Sequence, residues 1–225
     1  MKNVILIAGV TLMLGACNNS GQQEGSADTA NHSGQHGAMG DTGTSTSMQS
    51  TDTAGMSGKS MMSTMQSNMD QMKAMASTGN PDNDFAAMMK VHHMGALEMA
   101  QLEVAMGTDA QLKQMAQKMI DEQQKEIAEL NTFLSGHSAH GGGDAFHKEV
   151  MSQMSTMKMD MNHSGSVDKQ FAQMMIPHHQ GAIDMARSYI KSGAHEEKLK
   201  TMANKIIADQ QKEIGELQAW LNKNK

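Results

Sequence analysis

The sequence predicts an all-α fold: a four-helix bundle built from two duplicated helical hairpins, each preceded by a methionine-rich helix. Residues 82–106 align without a gap with residues 168–192, and eleven of the twenty-five positions are identical. After one inserted residue the match resumes: Met115-Ala116 with Met202-Ala203, Gln123 to Ile127 with Gln210 to Ile214, and Phe133-Leu134 with Trp220-Leu221. Apolar residues recur at helical spacing and no period-two strand pattern is found. Two hairpins that stack through their apolar stripes make a four-helix bundle.

The elements follow in order. Lys2 precedes an apolar run from Val4 to Leu14, too short to span a bilayer permanently and flanked as a secretory signal is. Leu14-Gly15-Ala16-Cys17 looks like a bacterial lipobox, which implies a signal peptide over 1–16 and lipidation of Cys17. Cys17 is the only cysteine, so neither a disulfide nor a thiolate metal site is expected. Asn18 after it resembles lipoproteins sent to an outer membrane, so the expected location is the periplasmic side of that membrane. Residues 17–58 are rich in Ser, Thr, Gly and Gln and are expected to be a disordered tether, reaching roughly 35 Å.

Repeat 1 then occupies 59–136, a Gly/His loop 137–143, and repeat 2 144–225. The leading helices are placed at about 59–77 and about 145–162. Asn80-Pro81 opens the first hairpin helix, Gly107 ends it, Thr108 and Gln111 form a capping box for the next, and Gly136 stops that one. In repeat 2, Ser166 starts, Gly193 breaks, and the last helix runs to the C-terminus. Pro177, where repeat 1 has Val91, should kink its helix beside the adjacent histidines.

Net charge is −6 with few aromatics, which excludes a nucleic-acid binder. The unusual numbers are 27 methionines and 11 histidines. "MMKVHHMGALEMA" (88–100) and "MMIPHHQGAIDMA" (174–186) place Met88 and Met89 one turn before His92 and His93, and Met174 and Met175 one turn before His178 and His179. At 100° per residue His92 points into the bundle with Met88 and Met99, while Met89 and His93 sit on the neighbouring face near its edge. Thioethers suit soft ions such as Cu(I) and Ag(I), and imidazole suits copper in either oxidation state. A single bundle methionine such as Met115, Met119 or Met202 reads more simply as adaptable packing.

The leading helices argue for more than packing. Met61, Met62, Met65, Met69, Met72 and Met75 form one stripe in a segment without Leu, Ile, Val or Phe, although burial alone would have admitted leucine. Met151, Met154, Met157, Met159, Met161 and His163 repeat the pattern. Soft-metal ligation is therefore expected from these tracts, and Met99 and Met185 of the repeats are further candidate ligands. His137, His140 and His147 in the glycine-rich loop suit weak Cu(II) or Zn binding or a solvated loop.

Carboxylates on the inner face are the other anomaly. Glu122, Gln123 and Glu126 share an arc with Met115, Met119 and Phe133, and Asp209, Gln210 and Glu213 repeat it. A buried carboxylate needs a partner. Each Glu either hydrogen-bonds a facing His92 or His178, or ligates metal directly, or marks a solvated bundle end.

With Met-Ile-Pro-His-His-Gln-Gly-Ala-Ile-Asp-Met-Ala, then Gln-xx-Glu-Ile and a terminal Trp-Leu, the second repeat closely resembles the ferritin-like bacterial family called domain of unknown function 305. The resemblance covers 82–134 and 168–222 and implies a ferritin-like four-helix architecture. It carries over to His178, His179, Met185, Gln210 and Glu213; in repeat 1, Lys90-Val91 and Met94 replace Ile-Pro and Gln. Some members of the family it resembles, those with Met-rich additions, are periplasmic copper-binding proteins linked to copper tolerance. The expectation is thus a lipid-anchored, non-enzymatic protein that buffers Cu(I) or Ag(I), with copper-exporting or copper-carrying envelope proteins as partners. Two alternatives compete: an iron-loaded di-metal oxidase using His92, His178, Glu126 and Glu213, and a metal-free structural envelope lipoprotein. The Glu-xx-His pairs of di-iron bundles occur nowhere in the chain.

Overall fold

Ser60 opens α1 (Met61–Lys73) with a reciprocal cap: its hydroxyl accepts from the Ser63 amide, and the Ser63 hydroxyl accepts from the Ser60 amide. The computed structural model describes residues 60–138, 141, 143–156, 165–193 and 195–225. Among them, six helices and no strands occur: α1, α2 (Pro81–Met106), α3 (Ala110–Gly136), α4 (Ala145–Thr156), α5 (Val167–Lys191) and α6 (Glu197–Lys223). No described helix is long and apolar enough to cross a membrane.

α1 is shorter than its methionine stripe suggests and leaves Met75 beyond the helix. Asp84 explains this. Its carboxylate accepts from the Ser77 hydroxyl and from the Thr78 amide and hydroxyl, which draws 77–80 out of helical geometry. Asn80 then caps α2, accepting from the Asn83 amide, with Pro81 in the first turn where its missing N–H costs nothing. The cap of α3 differs from expectation: Asp109, not Thr108, accepts from the Leu112 amide. Thr108 is instead held by Asp168 of the other repeat. α5 starts at Ser166 as expected and continues as one helix through Pro177.

α2 and α5 pack together at the centre, α3 lies against α2, and α6 against α5. On the opposite side, α1 and α4 each touch both α2 and α5. One apolar cluster centres on Phe85, stacked on Tyr189 at 4.1 Å between ring centroids, with Phe146 edge-on to both. α4 is anchored by Phe146 and Val150; Met151 and Met154 are only partly buried against the cluster. The second cluster holds Met61, Met65, Met99, Leu112, Phe171 and Trp220.

Candidate metal centre

A polar layer separates the two clusters. In α2, Phe85, Met88 and Met89 belong to the first and Ala96, Met99 and Leu102 to the second, so His92 and His93 fall between them. In α5, Met174 and Met175 serve the second and Met185 the first, with His178 and His179 between. The same interval in α3 carries Gln123 and Glu126, and in α6 Gln210 and Glu213, all four buried.

The two histidines of each pair face opposite ways. His93 and His179 turn towards the α3/α6 side and are fully buried, not at a helix edge as the helical-wheel placement implied. The glutamates pair with these histidines, not with His92 and His178. His93 Nε2 lies 2.8 Å from Glu126 Oε2 in a hydrogen bond. His179 Nε2 lies 2.9 Å from Glu213 Oε2, without the alignment of a hydrogen bond. Each glutamate also meets a lysine from the other repeat: Lys205 Nζ donates to Glu126 Oε1 at 2.9 Å, and Lys118 Nζ stands 3.7 Å from Glu213 Oε1. Burial alone would raise the Glu126 pKa, but hydrogen bonds and charge from His93 and Lys205 outweigh it and hold it below the usual range. Glu122 and Asp209 belong to the outer rim, not the inner face: Lys118 pairs with Glu122 at 3.2 Å and Lys205 with Asp209 at 2.9 Å.

His92 and His178 turn the other way, towards α1 and α4. Their rings meet at 3.8 Å between centroids, tilted by 42°. Both lie on the wall of a cavity of about 340 Å³ between α1, α4 and α5, together with Met65, Met69, Met72, Met154 and Met185. Asn68, Gln153, Gln180 and Asp184 add polar groups to the wall. Burial, reinforced by the charges of His93 and His179, lowers the His92 pKa to about 3. Burial and the neighbouring histidines push His178 well below its ordinary value. Both imidazoles are therefore neutral at ordinary pH, and neither ring nitrogen of His178 has a protein hydrogen-bond partner. Neutral imidazole and thioether are soft or borderline donors, so this wall suits Cu(I) or Ag(I) far better than a hard cation.

The structure therefore selects among the residues singled out by sequence. His92, His178, Met65, Met69, Met72, Met154 and Met185 share one cavity. Met88, Met89, Met99, Met174, Met175 and Met61 are buried in the two apolar clusters and do not line this cavity. Glu126, Glu213, Gln123 and Gln210 belong to the polar layer, with the two glutamates orienting His93 and His179. Cys17, Met157, Met161 and His163 lie outside the described residues, as does His140. His147 is occupied elsewhere, its Nε2 2.9 Å from the Met75 carbonyl. Neither Asp184 nor the two crossing lysines stands out in the sequence; only the equivalence of Lys118 and Lys205 in the duplication marks the lysines.

A family model described as domain of unknown function (DUF305) matches residues 10–134 and 135–221. No curated protein matches the chain. Solved structures that resemble it include CopM in the Ag-bound form obtained by co-crystallisation, with 26% identity, a TM-score of 0.50, and coverage of 63% of this chain and 96% of that one. CopM in the Cu(I)-bound form is similar at 26% identity and a TM-score of 0.49, over 63% and 96% of the two chains.

Proposed function

The chain belongs to the DUF305 family, and we propose that it is an extracytoplasmic, lipid-anchored protein that sequesters and buffers Cu(I), and Ag(I) through the same donors. The observation that carries this reading is the cavity in which two neutral imidazoles face five thioethers. The silver-bound form of CopM, on a similar fold, supports soft-ion cargo. No catalytic step is needed: thioethers are weak, numerous ligands that release their ion readily, which suits storage and exchange. The di-metal oxidase alternative needs carboxylates on the metal, whereas Glu126 and Glu213 are engaged by histidine and lysine away from the thioethers. Attachment through Cys17 would keep the protein at the envelope, where it could hand metal to exporting or carrying proteins; Cys17→Ala should release it from the membrane fraction.

The test is an anaerobic Cu(I) titration against a chromogenic chelator, with wild type beside His92→Ala/His178→Ala and Met65→Leu/Met69→Leu/Met72→Leu. Leucine conserves volume and removes only the sulfur. Affinity lowered at least tenfold in both variants, with helicity retained, is the expected result. A wild type that cannot compete with the chelator would overturn the reading.

A further inference from the structure

Away from the cavity, the duplication builds one device twice with different chemistry. Asp82, in the first turn of α2, accepts hydrogen bonds from the backbone amides of His195 and Glu196, in the turn joining α5 to α6. Asp168, in the first turn of α5, accepts from the amides of Thr108 and Asp109, in the turn joining α2 to α3. The donors are equivalent positions, so each repeat grips the other's turn. Asp82 takes a third hydrogen bond from the Tyr189 hydroxyl at 2.5 Å. The position equivalent to Tyr189 is Glu103, whose carboxyl meets Asp168.

We propose that Glu103 is un-ionised in the folded protein and donates its proton to Asp168, so that it acts as a proton-operated latch between the end of α2 and the start of α5. A phenol is a donor at every physiological pH, whereas a carboxyl is a donor only when protonated. Glu103 is fully buried, and neither of its oxygens receives a hydrogen bond from any protein donor. The missing element is therefore a proton of its own. Gly107 makes room for the site: a Cβ there would fall on the Glu103 carboxyl, which packs against the glycine. The ionisable groups facing Glu103 are Asp168 from α5 and Asp109 and Lys113 from the start of α3. Burial first, then Asp168, raises the Glu103 pKa to about 8, and Lys113 opposes this without reversing it. When the proton leaves to solvent, two carboxylates face each other in a buried corner and the latch loosens. The inference does not depend on the metal reading.

Because the folded protein keeps a proton that the unfolded chain releases near 4.5, the contribution of Glu103 to stability is greatest below that pH and is lost as pH rises towards about 8. The test follows unfolding of the full chain between pH 5 and 9, wild type beside Glu103→Gln, whose amide donates without titrating. The ratio of the wild-type to the variant unfolding equilibrium constant should rise by up to about tenfold per pH unit up to about pH 8, because every other titrating group is common to both proteins. Infrared spectra of wild type at pH 7 should independently show an un-ionised carboxyl, lost with a midpoint near 8. Parallel pH profiles, or an infrared spectrum at pH 7 without a carboxylic acid, would overturn the latch. Stability that depends on an added cation in place of the proton would do the same.

Discussion

His92 and His178 come from equivalent positions of the two repeats and meet ring to ring, 3.8 Å between centroids, on the wall of the methionine-lined cavity. Both are neutral, and the nitrogens of His178 have no protein partner. A buried polar group left unsatisfied costs about 1–3 kcal/mol. Folding alone gives no reason to keep His178 in this state, whereas a soft ion does.

It follows that function and apo stability oppose one another at this position. His178→Leu removes an unsatisfied polar group and keeps comparable bulk, so the metal-free variant should melt at a temperature equal to or above that of wild type. Its Cu(I) affinity should fall. Calorimetry of the apo protein together with chelator competition checks both halves, and a variant that loses stability while keeping affinity would reverse the assignment.

The two glutamates of the polar layer should not be energetically equal. Glu126 makes a 2.8 Å hydrogen bond to His93 and a 2.9 Å one to Lys205. Glu213 has a poorly aligned 2.9 Å contact with His179 and Lys118 at 3.7 Å. Glu126→Ala should cost about 2–4 kcal/mol, because it strands a buried imidazole and removes a charge-assisted bond, and Glu213→Ala should cost less. Urea unfolding of the two variants measures the difference.

Much of this arrangement was legible in the sequence, and the reason is the duplication. Ser166, Asn80-Pro81 and the Gln-xx-Glu spacing act locally, so their caps and helix faces follow from the chain itself. Which histidine meets which glutamate does not, because a few degrees of helix rotation decide between His92 and His93. Methionine hid the division of labour in a similar way. The same side chain serves as core filler at Met88 and Met175 and as cavity wall at Met65 and Met185, and composition cannot separate them. The reciprocal grips of Asp82 and Asp168 are not legible in the sequence because they join residues more than a hundred and about sixty positions apart, although both aspartates stand at the first position of the aligned repeats.

Asp168 also gives the acid side of the stability profile. Burial alone would raise its pKa, but the amides of Asp109 and Thr108 and the Thr108 hydroxyl outweigh it and hold the carboxyl at about 2, against an ordinary 3.8. A group whose folded pKa is depressed stabilises above its unfolded value and loses that contribution as pH falls through the folded one. Wild type should therefore lose stability as pH drops from about 3.8 to about 2. Asp168→Asn should be less stable at neutral pH and show a shallower acid limb, read by denaturant midpoints at successive pH values.

The position of α1 over the cavity depends on a close approach that can be broken without touching any proposed donor. Asn68 donates from Nδ2 to the Val91 carbonyl at 2.6 Å, and its side chain occupies the space a Cβ on Gly95 would need. Gly95→Ala should push Asn68 off α2 and cost about 1–3 kcal/mol of overpacking. It should also lower Cu(I) affinity, because Met65, Met69 and Met72 ride on the displaced helix while His92 and His178 stay in place. Adding Asn68→Ala removes the obstruction, so the double variant should lose less than the two single losses combined. Additive losses in a double-mutant cycle would show that Asn68 and Gly95 do not act as one contact.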